Sequence, residues 1–151
     1  MAIETKYKKI VTSGKRKTSV ARAMIIEGSG KVTINKKDYQ GLQMFDRLKI
    51  EEPLRIAEAV LGKKNFDVVI KVRGGGEKSQ IEASRLALAR AIVKFSASNA
   101  KAKDFEKSKS KELEEAYVKY DRNLLVADVR RKEAYKPGDS KARSMRQSSK
   151  R

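Results

Sequence analysis

The chain has 151 residues and a formal net charge of +18, with 37 Lys and Arg side chains against 19 acidic ones. It holds no Cys and no His, which excludes disulfides, thiolate or imidazole metal sites and histidine-based acid–base catalysis. Hydrophobic residues make up 39%, and no apolar run approaches the roughly 18 residues of a membrane span, so a single domain with polar extensions is expected.

The positive charge is unevenly placed. Residues 6–22 carry seven basic and no acidic side chains, residues 129–151 carry nine basic and two acidic, and the stretch between them carries 21 against 16. A nearly balanced body with two basic ends points to a polyanionic partner, nucleic acid above all. The first residues lack the apolar core of a secretory signal, which predicts the cytoplasm.

Residues 1–6 read as a flexible leader and residues 7–127 as a globular domain. Ile10-Val11-Thr12 suggests a short strand, followed by a basic turn over Ser13–Ser19 that carries Lys15, Arg16 and Lys17. A phosphate loop of the Gly-x4-Gly-Lys-Ser/Thr type is ruled out by spacing: position 9 is Lys, and Arg16 follows Lys15. Val20–Ile26, with Arg22 inside it, is rich in strand formers. Gly28-Ser29-Gly30 reads as a turn, and Lys31–Asn35 alternates with Val32 and Ile34 on one face, so these two strands are expected to form a hairpin. Residues 36–51 read as an irregular loop whose Tyr39, Met44 and Phe45 pack over the sheet. Pro53 then suits the first turn of a short helix with Leu54, Ala57 and Leu61 on one stripe and Gly62 as its C-cap.

Phe66–Val72 is the strongest strand, with Phe66, Val68, Ile70 and Val72 facing one way and Asp67 and Lys71 the other. Arg73 and the contiguous Gly74-Gly75-Gly76 lead from it into a helix expected over Ser79–Ala97, striped by Ile81, Leu88, Ile92 and Phe95. A glycine turn before a helix N-terminus is well shaped for a phosphate, and a purely structural turn is the competing reading. The dinucleotide fingerprint is not matched. Residues 101–122 have helical composition, with a docking helix over about 104–120 and a narrow stripe of Leu113, Ala116, Tyr117 and Tyr120. Leu124–Ala127 is the last apolar anchor. From Asp128 the composition changes abruptly, and residues 128–151 read as an extended nucleic-acid-binding tail. The order β-β-β-α-β-α, then a docking helix, fits an α+β fold: a two-layer mixed sheet with helices on one face.

Several of these stretches resemble the small-subunit ribosomal protein nine family. They are Thr12–Arg22, Gly28–Asn35, Gly74–Gly76 leading to Gln80, Ala89-Arg90-Ala91, Asp128-Val129-Arg130 with Glu133, and Lys141-Ala142-Arg143 continuing to Gln147–Arg151. The run Val11–Thr18 is closer to archaeal and eukaryotic members than to bacterial ones. One departure is Ser79, where the family usually has Gly. The resemblance implies a fold shared with a domain of small-subunit protein five, and contacts to the 3′ (head) domain of small-subunit rRNA, to neighbouring head proteins and to peptidyl-site tRNA. Together with the charge pattern it makes Lys15, Arg16, Lys17, Arg22, Arg73 and the Gly74–Gly76 turn candidate rRNA contacts. In the tail, Arg130, Arg131, Lys132, Lys136, Lys141, Arg143 and Arg146 join them. By matching position, Ser149, Lys150 and Arg151 are the candidate tRNA contacts.

No cofactor, metal, membrane or small-molecule substrate is expected. The rival readings are a general architectural nucleic-acid binder or RNA chaperone, and an enzyme holding nucleotide phosphates at Gly74–Gly76. The latter lacks a Walker motif and a convincing carboxylate pair. Tyr7, Tyr117, Tyr120 and Tyr135 are read as packing residues before base-stacking ones, because the core has few aromatics to draw on.

Overall fold

A computed structural model describes residues 9–62, 65–99 and 104–145 of the chain. Five strands form one sheet: β1 (Ile10–Arg16), β2 (Ser19–Glu27), β3 (Val32–Ile34), β4 (Lys37–Asp38) and β5 (Phe66–Arg73). Three helices accompany them: α1 (Met44–Leu61), α2 (Glu77–Asn99) and α3 (Asp104–Tyr120). The spatial order is β1-β2-β5-β3-β4, antiparallel except for the parallel β3–β5 pair. The α+β mixed sheet with its helices on one face is therefore as expected, and the strand pairing within it is not.

The expected hairpin between residues 20–26 and 31–35 does not form. β5 inserts between them, because β2 gains an eight-residue antiparallel ladder with β5, while β3 is only three residues long. The crossing at Gly28–Lys31 is organised by Asp67, whose Oδ1 accepts the backbone N–H groups of Ser29, Gly30 and Lys31, each at 2.9 Å. The tight hairpin is instead β1–β2. Its first strand runs on to Arg16, so the basic turn shrinks to Lys17-Thr18, with Lys17 in the left-handed region at φ 52°. The inward positions of this strand are Thr12 and Gly14, which carry little apolar signal. Gly14 is required there: a Cβ would lie 2.3 Å from the carbonyl oxygen of Ala83. Thr12 Oγ1 donates to the Ala87 carbonyl at 2.8 Å, so β1 lies almost against the backbone of α2.

α2 lies on β1, β2 and β5 and also packs against α1 and α3. It begins two residues before the expected Ser79, and its stripe of Ile81, Leu88, Ile92 and Phe95 is buried as anticipated. Phe95 meets Phe66 edge-on, with ring centroids 5.9 Å apart. The loop expected over residues 36–51 is replaced by β4, a single 3-10 turn and the first half of α1. Pro53 thus sits inside a helix rather than in its first turn. Burial of Ile50, Leu54 and Ala57 on one side, and ion pairs from Arg47 and Arg55 to Glu51, hold the helix through the missing N–H. Met44 and Phe45 are largely exposed, so they do not cover the sheet. Lys78 reaches from the first turn of α2 to the buried Asp46 carboxylate of α1 at 2.9 Å. Tyr117 of α3 is fully buried and donates to the Pro53 carbonyl at 2.8 Å, and burial pushes its phenol pKa up. Tyr120, expected on the docking stripe, is exposed.

Candidate nucleic-acid interface

The β1–β2 turn and the root of the tail meet. Arg16 points its guanidinium inward between two carboxylates: Nε donates to Glu82 of α2 at 2.6 Å, and Nη1 pairs with Asp128. Arg131 donates to the Lys17 carbonyl. These contacts fix where the tail leaves the body, beside a cleft of about 630 Å³ lined by Arg16, Lys17, Thr18, Arg130, Arg131 and Lys132. No carboxylate lines it. The hydrogen bonds from the Arg130 side chain and N–H hold the Asp128 carboxyl well below the usual range, so that group stays ionised as the tail's anchor.

Two further arginines of α2 secure the segment just before the tail. Arg85 bridges Glu52 of α1 and Asp121, and Arg90 donates to the carbonyls of Leu125 (2.8 Å) and Ser13 (2.9 Å). Neither stood out as a tail-positioning residue in the sequence, because their partners lie more than thirty positions away. Arg90 stands in the Ala89-Arg90-Ala91 stretch, and Arg85 stands in no such motif.

The Gly74–Gly76 turn is packed from within. Gly74 and Gly75 have φ of 78° and 65°, and a Cβ on Gly75 would lie 2.1 Å from Ser19 Oγ. The Gly74 carbonyl accepts from Ser19 Oγ at 2.9 Å and Gln80 Nε2 at 3.2 Å. Ser79 Oγ donates to the Gly76 carbonyl at 2.8 Å, so the residue that departs from the family pattern supplies a turn-closing hydroxyl. Glu77 already places a negative charge in the first turn of α2. Packing and backbone conformation account for Gly74 and Gly75, while a Cβ on Gly76 would meet nothing within 4 Å.

The cations of β1, β2, β5, the turn and the tail are of two kinds. Arg16, Arg130 and Arg143 are ion-paired, the last with Glu133 across the Pro137-Gly138 turn at 2.9 Å. Lys132 lies over the Tyr135 ring, 4.6 Å from its centroid. Lys15, Lys17, Arg22, Lys71 and Arg73 are exposed, and among the described residues none has a side-chain ion pair or hydrogen bond. Four of these five lie on the sheet face that α2 leaves bare. The pairing places Lys15, Val20 and Arg73 in one cross-strand row, Ser13, Arg22 and Lys71 in the next, and Val11, Met24, Val69 and Thr33 in a third. Lys136 and Lys141 are exposed along the tail, which adopts neither helix nor strand up to residue 145. Arg146, Ser149, Lys150, Arg151 and Tyr7 lie outside the described residues.

The sequence model of the family described as "Ribosomal protein S9/S16" matches residues 14–151. The chain belongs to the ribosomal protein S9/S16 family. Curated relatives include a protein named "Small ribosomal subunit protein uS9" from Methanococcus vannielii, 41% identical over 88% of this chain and 90% of its own length. Proteins of the same name from Thermoplasma volcanium and Thermoplasma acidophilum are 43% and 44% identical, each over 93% of this chain and 96% and 98% of their own. The match to the S9/S16 family spans the β1–β2 turn, the strands that carry Lys15, Arg22, Lys71 and Arg73, and the whole tail. Among the described residues no group of three or more acidic side chains is placed to hold a metal ion, and no helix is long and apolar enough to cross a membrane.

Proposed function

We propose that this chain is a structural protein of the small ribosomal subunit. Its body binds rRNA of the 3′ (head) domain beside neighbouring head proteins, and its residues 128–151 form an arm that extends to peptidyl-site tRNA. The observation that carries the reading is the S9/S16 match over residues 14–151, which takes in the β1–β2 turn and the tail that packs beside it. The chemistry is phosphate neutralisation: Lys and Arg displace condensed counterions, so affinity falls steeply with salt and the contacts position the protein without reading sequence. Lys17, Arg131 and Lys132, around the acid-free cleft, are the first rRNA ligands, with Lys15 on the adjoining strand. Arg16 acts through the tail it anchors, and Ser149, Lys150 and Arg151 are the tRNA contacts.

Co-sedimentation with small subunits through a high-salt sucrose gradient tests the assignment. Retention supports it, while release at moderate salt together with equal binding to unrelated duplexes indicates a general nucleic-acid binder instead. Deleting Ser149–Arg151 leaves incorporation nearly intact and weakens tRNA binding at the peptidyl site of the mutant subunits. Unchanged tRNA affinity by filter binding removes the arm's contact from the proposal.

A further inference from the structure

An antiparallel sheet can leave one face in water, so what marks such a face is the chemistry it presents there. The face opposite α2 alternates exposed and half-buried side chains along β1, β2 and β5. Its end nearest the β1–β2 turn presents Lys15, Arg22, Lys71 and Arg73 on three adjacent strands, all exposed and none paired within the described residues. Neighbouring strands lie about 4.8 Å apart and alternate residues about 6.7 Å apart, so the four charges share a patch only two residues deep. A cleft of about 250 Å³ lined by Val20, Arg22, Lys71, Val72 and Arg73 indents it. Like charges held this close repel one another, and they do so to the benefit of an anion that bridges them.

Behind the cations lies a band of Val11, Met24 and Val69, with Val11 60% exposed. The face has no aromatic side chain at any outward position of β1, β2 or β5. It therefore lacks the stacking platform with which sheets take up unpaired bases, while offering charge for phosphates and a small apolar strip for sugar edges. The one carboxylate at an outward position of β1, β2 or β5, Asp67, is occupied by three backbone N–H groups, and Asp38 lies at the far edge of the sheet on β4.

We propose that the open sheet face, with Lys15, Arg22, Lys71 and Arg73 at its turn-proximal end, is a second RNA-docking surface that grips the ribose–phosphate backbone without reading bases. The inference rests on the ribosomal reading above and extends it from the turn and tail to the sheet, adding Lys71 to the expected contacts.

The test is binding of the full chain to an in vitro transcript of small-subunit rRNA across a salt series, with a generic RNA duplex and a single-stranded poly(U) as parallel probes. The triple substitution R22Q/K71Q/R73Q changes only exposed side chains, and its fold is checked by thermal melting. It reduces the slope of log affinity against log salt by about 2–3, since each neutralised phosphate contributes roughly 0.7–0.9. The swap R22K/K71R/R73K restores the slope, because charge and not fork geometry is what the backbone needs. A matched control of equal charge on and beside α3, K111Q/K119Q/R122Q, leaves it unchanged. Loss of the slope on the duplex but not on poly(U) assigns the face to paired RNA, and the reverse assigns it to single strands. An unchanged slope for the triple variant, or an equal loss from the control, overturns the docking face and leaves the ribosomal assignment standing. Failure of the wild type to bind the transcript overturns both.

Discussion

Arg16 illustrates how a residue singled out by charge can turn out to do its work through geometry. Its side chain is 21% exposed and shared between Glu82 and Asp128, so it joins β1, α2 and the root of the tail at one point. Substituting Arg16→Gln strips a charge-assisted bond from each carboxylate and is expected to cost about 2 kcal/mol, read by chemical denaturation. The same variant is cleaved faster by trypsin after Arg130 and Arg131, because the tail root is no longer tied down. Unchanged cleavage would show that Arg90 and Arg85 hold the segment alone. The sequence shows that Arg16 lies in a basic cluster, and nothing local tells it apart from Lys15 or Lys17. The distinction arises from Asp128, 112 positions away, and only the fold brings the two together.

At the scale of elements, amphipathic pattern was a good guide where one face is strongly apolar, and a poor one where small residues do the packing. β5 and α2 have unambiguous stripes and were legible. β1 packs through Thr12 and Gly14 against Ala83 and Ala87, a contact that depends on smallness rather than hydrophobicity, so only Ile10–Thr12 reads as a strand and its second half, Ser13–Arg16, as part of a turn. The pairing of β2 with β5 was hidden for another reason. Sequence proximity favours a hairpin, and the Asp67 carboxylate that supports the longer connection is supplied from β5 itself. Proline favours the first turn of a helix, which is why the sequence points to a shorter α1, and tertiary burial of Ile50 and Leu54 overrides that preference. The docking of α3 on α1 passes through one buried hydroxyl. Tyr117→Phe removes the hydroxyl's bond to the Pro53 carbonyl and should lower stability by about 1 kcal/mol with an unchanged denaturant m-value. A loss below a few tenths of a kcal/mol would mean that ring packing alone docks α3.

For the molecule as a whole, carboxylates are few and several of them work as clamps. Asp128 is held low by hydrogen bonds from Arg130. Burial pushes Glu82 and Asp121 up, and the bonds from Arg16 to the first and from the Asn123 N–H and Arg85 to the second outweigh it, so both also lie below their ordinary values. A depressed folded-state pKa contributes stability that is complete above the unfolded value, about 4, and is lost as pH falls through the folded one. The melting temperature is therefore expected to stay level from pH 7 to about pH 5 and to fall below about pH 4 as protonation also raises the net charge. Arg16→Gln should flatten that fall. A profile that is level down to pH 3 would show that these pairs contribute nothing to the folded state.

The clamp at Asp128 has a consequence for distance. Beyond it the sequence supplies 23 residues to Arg151, an extended reach of at most about 80 Å, against a radius of gyration near 13 Å for a body of this size. Moving the clamp by one residue would shift the far end by about 3.5 Å, more than the length of a hydrogen bond. Tail length should therefore tolerate insertions and deletions far less well than tail composition tolerates exchange among polar residues.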